Sequence, residues 1–299
     1  MKHLPSRLKL VPFATAFLVV AVAAGASYAV HGDSKRHLPA ATHQKSAPYR
    51  PASLSTLEGG SDDPADWKLP VEKYLPKKLD VRTVSVTRGS IIESCMSDAG
   101  YPDWAAPPNL PDLGGKTLTD WRYGVHARAE VKRWGYHPDP KQQAAYDEAE
   151  SKGAVDNSGA PEGQVQKCVG MADAKLPKLV PSPVAQSIEG QSFIASQKKK
   201  EVVSAFHSWS VCMKSKGYNY KKPLDASDDQ RFSNPYRITK LEKRTAVADV
   251  ACRERVNLEK TWFDTEAKIE QSAIAKQISA LKSAPAQYAA LVSKAQSIE

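Results

Sequence analysis

The sequence lacks the short signatures by which an enzyme or a metal site is usually recognised. It contains no His-Glu-x-x-His, no Gly-x-Ser-x-Gly and no phosphate-binding glycine loop. Its four cysteines lie at least 40 residues apart, whereas structural zinc sites are typically built from close cysteine pairs. We therefore predict no catalytic, cofactor-binding or metal-binding residues and no cofactor. These absences favour a binding or structural role over an enzyme.

Acidic residues are absent from the first 30 positions, and residues 10–30 carry no charge of either sign. Lys2, Arg7 and Lys9 precede this uncharged run of 21 residues, which as a helix would span the ~30 Å hydrocarbon core of a bilayer. Small residues at 24–26 and 27–29 also offer cleavage sites for a signal peptide. Residues 1–30 are thus predicted to be a signal anchor, favoured by their length, or a cleaved signal peptide.

The basic residues before the run place the remainder of the chain outside the cytoplasm. We therefore expect a single-pass protein of the cell membrane, or a secreted one if the segment is cleaved. Residues 31–65 are rich in Ala, Ser, Pro and His without an apolar period, which predicts a flexible linker.

Helical periodicity begins after the linker, so the predicted fold class is mainly α. Prolines at 177, 181 and 183 divide the chain into two predicted helical modules, 66–180 and 181–299. The second module contains a long C-terminal helix, since apolar i, i+4 pairs recur every 11 residues from 252 to 278. The predicted helices cover 81–99, 125–134, 141–152, 165–176, 190–216 and 237–281, followed by a short one around Tyr288.

A short motif occurs twice in the sequence. Residues 95–101 and 212–218 share the pattern Cys-Met-x-x-x-Gly-Tyr, and each copy precedes one further cysteine, Cys168 or Cys252. The methionine is expected to fill a core, and the glycine to end its helix in the left-handed conformation. Four cysteines allow three connectivities. The duplication favours two disulfides inside the halves, Cys95–Cys168 and Cys212–Cys252, as expected for a chain outside the cytoplasm.

The duplicated motif occurs together with two other distinctive stretches. Residues 122–125 lead to the Trp-Gly-Tyr-His-Pro of 134–138, and residues 247–252 read Val-Ala-Asp-Val-Ala-Cys. As a set, these features resemble a group of uncharacterised exported proteins of actinomycete bacteria over roughly 65–283. That group has no assigned activity. The resemblance therefore implies an envelope location and no catalytic residues.

Positive charge is concentrated in the second half of the chain. Residues 195–244 hold 12 Lys or Arg against 5 Asp or Glu, a net charge of +7. Tyr218 and Tyr220 interleave with the lysines, a combination also seen in nucleic-acid-binding proteins, but the predicted location argues against nucleic acid. Anionic wall polymers or lipid headgroups fit better, and a merely solvated surface is the competing interpretation. The candidate binding residues are Lys198, Lys199, Lys200, Lys214, Lys216, Lys221 and Lys222.

Two functions remain open on the sequence alone. The favoured one is an envelope-associated binding or structural module outside the cytoplasm, with the membrane reached through the N-terminal helix and no protein partner specified. The alternative is a cell-wall-acting enzyme whose site is assembled from dispersed residues that no local motif reveals.

Overall fold

The described part of the chain is built from helices alone. A computed structural model describes residues 63–153 and 156–298, and these form α-helices and short 3₁₀ helices without a β-strand. The predicted mainly α class is therefore confirmed. The α-helices of these ranges are α1 Lys78–Asp98, α2 Arg128–Trp134, α3 Pro140–Gly153, α4 Glu162–Lys175, α5 Pro183–Ser196, α6 Lys200–Ser215, α7 Leu224–Ser227, α8 Lys240–Arg255, α9 Leu258–Leu281 and α10 Ala284–Gln296.

The predicted membrane helix and the predicted linker up to residue 62 lie outside the described residues. None of the helices α1–α10 is both long and apolar enough to cross a membrane. The described chain opens with two 3₁₀ helices, Pro64–Asp66 and Pro70–Tyr74. Each begins with proline, whose fixed φ suits the first helical position. The 3₁₀ helix Pro64–Asp66 thus includes the last residues of the predicted linker, 31–65.

The single helix predicted over 190–216 is wrong, because two helices occupy this stretch. α5 ends at Ser196, the chain becomes extended at Lys199 with ψ 144°, and α6 begins at Lys200. Neither glycine nor proline marks the break. Both helices pack on α9, and the buried Ser196 hydroxyl accepts a hydrogen bond from Trp262 Nε1 at 2.8 Å. Packing against one central helix therefore decides where α5 stops.

The predicted long helix over 237–281 is also wrong. α8 begins at Lys240 behind a capping box, in which Thr239 Oγ1 accepts from the Glu242 amide at 3.1 Å. It ends at Arg255, and Asn257 adopts the left-handed conformation with φ 50° before α9 starts. Asparagine tolerates this conformation better than most residues. The apolar repeat continues across this break although the chain does not, because α8 packs on α2 and α6 while α9 packs on α5 and α6. The predicted last helix around Tyr288 is confirmed as α10.

The two copies of the repeated motif fold in the same way. Gly100 and Gly217 have φ values of 89° and 88°. The amide of Tyr101 donates to the Met96 carbonyl at 2.9 Å, and the amide of Tyr218 donates to the Met213 carbonyl at 3.0 Å. These are the bonds of a Schellman cap. Both methionines are fully buried, so the sequence duplication is a duplication of local structure.

Both disulfides have the pairing expected from the duplication. Cys95–Cys168 joins α1 to α4 with Cα atoms 5.6 Å apart, and Cys212–Cys252 joins α6 to α8 with Cα atoms 5.7 Å apart. Each closes a long stretch of chain, which stabilises the fold by about 4 kcal/mol in the chain-entropy view.

Two apolar cores lie within one compact unit, Leu54–Glu299. The larger core surrounds α9, on which α5, α6 and the 3₁₀ helix Pro70–Tyr74 pack. The smaller one lies where α1 packs on α4 and α10. Each core draws side chains from both sides of residue 180. Segments assigned to different predicted modules therefore pack together.

We predict that Gly217→Ala destabilises the protein by about 1 kcal/mol or more, through backbone strain alone. A Cβ at Gly217 would meet no other atom within 4 Å, so no clash contributes. The matched control is Gly170→Ala within α4, where a Cβ also meets nothing within 4 Å. It should stabilise by up to about 1 kcal/mol because alanine is the better helix former. Urea unfolding measures the change in unfolding free energy of both variants. A change of the same sign in both would contradict the assigned cap.

Candidate functional site

The seven predicted lysines all lie on the surface. Lys198 and Lys199 lie in the turn between α5 and α6, and Lys200 begins α6. Lys214 lies in the last turn of α6, Lys216 follows it, and Lys221 and Lys222 lie in the loop before α7. Within the part of the chain that the structure describes, no salt bridge or side-chain hydrogen bond reaches any of their ammonium groups. Their charges are therefore available to a ligand.

A groove of about 470 Å³ brings lysines from two of these segments together. Lys198 from the α5–α6 turn lines it with Lys221 and Lys222 from the loop. The remainder of its lining is mostly apolar or uncharged and comprises Ile194, Gln197, Val203, Phe206, His207 and Ser210. Lys214 and Lys216 do not line this groove. The structure therefore joins three of the seven predicted lysines at one concave site.

Adjoining depressions extend the positive surface beyond the predicted residues. One contains Lys198 and Lys199 beside Ile194. Another, of about 570 Å³, contains Lys199 together with Lys268 and Lys276 of α9, and Glu201 is the acid in its lining. Sequence reasoning missed the last two lysines, although their spacing of eight residues on one helix face was visible. We call the surface formed by the seven predicted lysines together with Lys268 and Lys276 the basic face.

Negative charge is scarce along this surface. Residues 190–222 contain seven lysines and a single acid, Glu201, a net charge of +6. The first turn of α6 adds to the positive potential, because its cap residue Lys199 makes no side-chain hydrogen bond to it. An anionic ligand is the chemistry that this arrangement favours.

The two tyrosines that interleave with the lysines do not belong to the face. Tyr218 is half-buried against the larger core. The hydroxyl of Tyr220 donates to Asp229 Oδ2 at 2.7 Å, and burial together with this contact raises the pKa of Tyr220 to about 12. Asp229 in turn pairs with Arg231, and this hydrogen bond lowers the pKa of its carboxyl. These aromatic side chains hold the loop in place and do not offer a stacking platform for bases.

A second concave site has a different character. This cleft of about 560 Å³ lies between the 3₁₀ helix Pro64–Asp66, the segment before α2 and the start of α9. His126 lines it, with Nε2 2.7 Å from Asp120 Oδ1 and Nδ1 3.7 Å from Asp63 Oδ1. Glu259 lines it too, and burial raises the pKa of this carboxyl to about 7.

Glu259 carries an unusual carboxylate. Its Oε1 is buried without a hydrogen-bond partner among the described residues, and the neighbouring charge, Arg253 Nη1, lies 3.9 Å away. Arg253 is committed elsewhere, since its Nε donates to Asp249 Oδ1 at 2.6 Å. A carboxyl that titrates near neutrality beside an oriented imidazole can exchange protons with a ligand. No local motif links His126 to Glu259, and sequence reasoning assigned neither a role.

A second buried network lies farther along α9 and is structural. Arg122 donates to Glu189 Oε1 at 2.5 Å and to Glu266 Oε1 at 2.6 Å. Glu270 Oε2 accepts from the Val71 amide at 2.9 Å, while its Oε1 has no partner in the described chain. Burial raises the pKa of Glu270 to about 8. The network ties the segment around Val71 to α9, and Glu270 within it is fully buried.

Comparisons with protein families, with curated proteins and with solved structures gave no match to this chain. In the described ranges, no group of three or more His, Cys, Asp or Glu side chains is placed to hold a metal ion. The basic face and the Glu259 cleft are thus the two sites on which a function can be argued.

We predict that Glu270→Gln removes part of the pH dependence of stability. The folded state keeps a proton on Glu270 up to about pH 8, whereas the unfolded state releases it near the ordinary value of 4.5. The unfolding free energy of the wild type should therefore fall as pH rises through this window, by at most about 1.4 kcal/mol per unit from this group.

The variant lacks this titration, so its stability relative to the wild type should rise steadily between pH 5 and pH 8. Chemical denaturation at several pH values measures the difference. Glu130→Gln on the exposed side of α2 controls for the loss of one negative charge. If the unfolding free energies of Glu270→Gln and the wild type differed by the same amount at every pH from 5 to 8, the prediction would be contradicted.

Proposed function

We propose that this protein is an envelope-associated binding module, which holds a polyanionic component of the cell envelope against its basic face. The observation that carries the proposal is the groove in which Lys198 meets Lys221 and Lys222. The ligands that would fit this groove have repeated phosphate or carboxylate groups in common, as anionic wall polymers and lipid headgroups do. The described chain offers this ligand several lysines that are not neutralised by its own acids.

The proposal includes a location outside the cytoplasm, with the membrane reached through residues 1–30. Two disulfides support such a location, because they persist in oxidising compartments. The basic residues before the uncharged run of residues 10–30 support it independently. In that setting a surface-bound polyanion is abundant, and weak contacts from several lysines suffice for retention.

The test compares two lysine triplets by binding to inorganic polyphosphate of defined length and to isolated cell envelope. Lys198→Gln, Lys221→Gln and Lys222→Gln together should weaken binding about 10- to 100-fold at low salt, since each lysine near an anionic surface contributes on the order of 1 kcal/mol. The wild type should itself lose affinity steeply with added salt. Circular dichroism checks that helix content is retained.

The matched control neutralises three lysines of equal exposure in and after α4, Lys167, Lys175 and Lys178. It changes the net charge by the same amount and should leave binding nearly unchanged. If both triple variants lost the same binding affinity, net charge alone would explain binding and the groove would have no specific role. No loss for either triplet would leave the groove a solvated surface and overturn the proposal.

A second candidate function, a cell-wall-acting enzyme, is favoured by the Glu259 cleft. Glu259 supplies a proton donor that is about half protonated near pH 7, and His126 is held by Asp120 at 2.7 Å. Such a pair fits general acid–base catalysis of hydrolysis. On this alternative the basic face would hold the anionic substrate while the cleft acts on it.

For the enzyme alternative we predict that purified cell wall incubated with the protein releases new reducing ends or amino groups, with a rate that depends on pH around 7. Glu259→Gln should lower this rate about 10²- to 10⁴-fold, the usual contribution of a general acid or base. Glu130→Gln, which lies on α2 outside the cleft lining, should not change it. A wild type that releases nothing, or an active Glu259→Gln variant, would remove the enzyme from consideration.

A further inference from the structure

The solvent-facing side of α6 combines lysines with aliphatic residues. Val203, His207 and Val211 recur every four residues, and Lys200 and Lys214 extend this side at its two ends. The opposite side is buried and is formed by Val202, Ala205, Phe206, Trp209, Cys212 and Met213. α6 therefore has an outer side that no described element covers.

The aliphatic side chains on this surface are unusually open to solvent. Val203 is 50% exposed and Val211 57% exposed, and Ile194 of α5, which lines the same groove as Val203, is 56% exposed. The lysines of this groove are Lys198, Lys221 and Lys222. An apolar surface bordered by cations is thus continuous from α5 across the outer side of α6.

We propose that the occupant of this surface is the headgroup region of an anionic lipid bilayer, on which α6 lies flat with Ile194, Val203 and Val211 inserted. The inference rests on the proposed function and names its ligand. A soluble polyanion binds the lysines but makes no favourable contact with three exposed aliphatic side chains. A bilayer interface binds the lysines at its phosphates and also buries the aliphatic side chains. Charge complementarity selects anionic over neutral lipid, because Glu201 is the single acid among residues 190–222.

The shape of the surface supports this mode of binding. Ser204 and Ser208 flank the outer side of α6 and are exposed, so short side chains border the aliphatic ones. They allow the helix axis to approach the interface to the ~5–10 Å at which apolar faces are usually buried there. Lysine stems can extend along the same plane while their ammonium groups stay at the phosphates.

The rigid support of α6 fits such a role. Trp209 Nε1 donates to Asp249 Oδ1 at 2.8 Å, and the Cys212–Cys252 disulfide joins the helix to α8. The outer side is therefore held in one orientation before it meets a membrane. Little ordering of the helix is then needed on binding.

The experiment uses residues 54–299, because this compact unit contains both cores and both disulfides and lacks the predicted membrane helix. Binding is measured by sedimentation with vesicles of phosphatidylglycerol and phosphatidylcholine, with vesicles of phosphatidylcholine alone, and by titration with inorganic polyphosphate. The wild type should bind the anionic vesicles and should bind neutral vesicles at least tenfold more weakly. Added salt should weaken its binding to polyphosphate more than its binding to anionic vesicles.

The diagnostic variant carries Ile194→Ser, Val203→Ser and Val211→Ser. Serine and these aliphatic residues have similar helix propensities, so α5 and α6 should remain folded, as circular dichroism and thermal unfolding will show. Binding to anionic vesicles should fall about tenfold, because apolar area is no longer transferred from water. Binding to polyphosphate should remain unchanged, since all lysines are retained.

The matched control is Leu79→Ser, Val86→Ser and Val180→Ser, three exposed aliphatic positions of α1 and of the segment before α5. It should bind both ligands like the wild type. Unchanged vesicle binding by the diagnostic variant would overturn the insertion of α6, and so would a wild type that binds polyphosphate but not anionic vesicles; both results would leave the proposed function standing. Binding to neither ligand would overturn the proposed function as well.

Discussion

The buried pair formed by Asp249 and Arg253 on α8 is the interaction on which the arrangement around it depends. The two side chains are 0% and 1% exposed. Asp249 accepts from Trp209 Nε1 at 2.8 Å and from the Tyr136 hydroxyl at 3.2 Å, and Arg253 donates to the Pro223 carbonyl at 3.2 Å and to the Tyr123 carbonyl. Charges buried this deeply are tolerated only when they are paired and hydrogen-bonded. Loss of one partner of such a pair typically costs about 3–5 kcal/mol.

This pair also shapes both candidate sites. By holding Trp209, it fixes the inner side of α6 and leaves the outer side, with Val203 and Val211, directed to solvent. Because Arg253 is engaged by Asp249, its Nη1 stays 3.9 Å from Glu259 Oε1, and burial raises the pKa of Glu259 to about 7. The network therefore bears on both the α6 part of the basic face and the Glu259 cleft. They differ in chemistry, because the groove of the face combines lysines with aliphatic residues, whereas the cleft concentrates ionisable groups of both signs.

Much of the local structure could be predicted from the sequence. The duplicated Cys-Met-x-x-x-Gly-Tyr motif predicted two caps, two buried methionines and the disulfide pairing, since a cap needs only a few adjacent residues and a glycine free of Cβ strain. The helix breaks at Lys199 and Asn257 were missed. Asn257 lies in a stretch with continuing apolar periodicity, whereas Lys199 lies in a polar run of residues that are compatible with a helix. Each break is set by how two helices pack on distant partners.

The sequence by itself determined the helical class and the identity of the seven lysines, and export of the chain stays a prediction. Composition and short-range spacing carry that information. Only the tertiary structure decided that Lys198 meets Lys221 and Lys222, that Lys268 and Lys276 extend the basic face, and that His126 and Glu259 share a cleft. These groups are far apart along the chain, and their proximity follows from long-range burial around α9 and from the Asp249–Arg253 pair, neither of which leaves a periodic signal in the sequence.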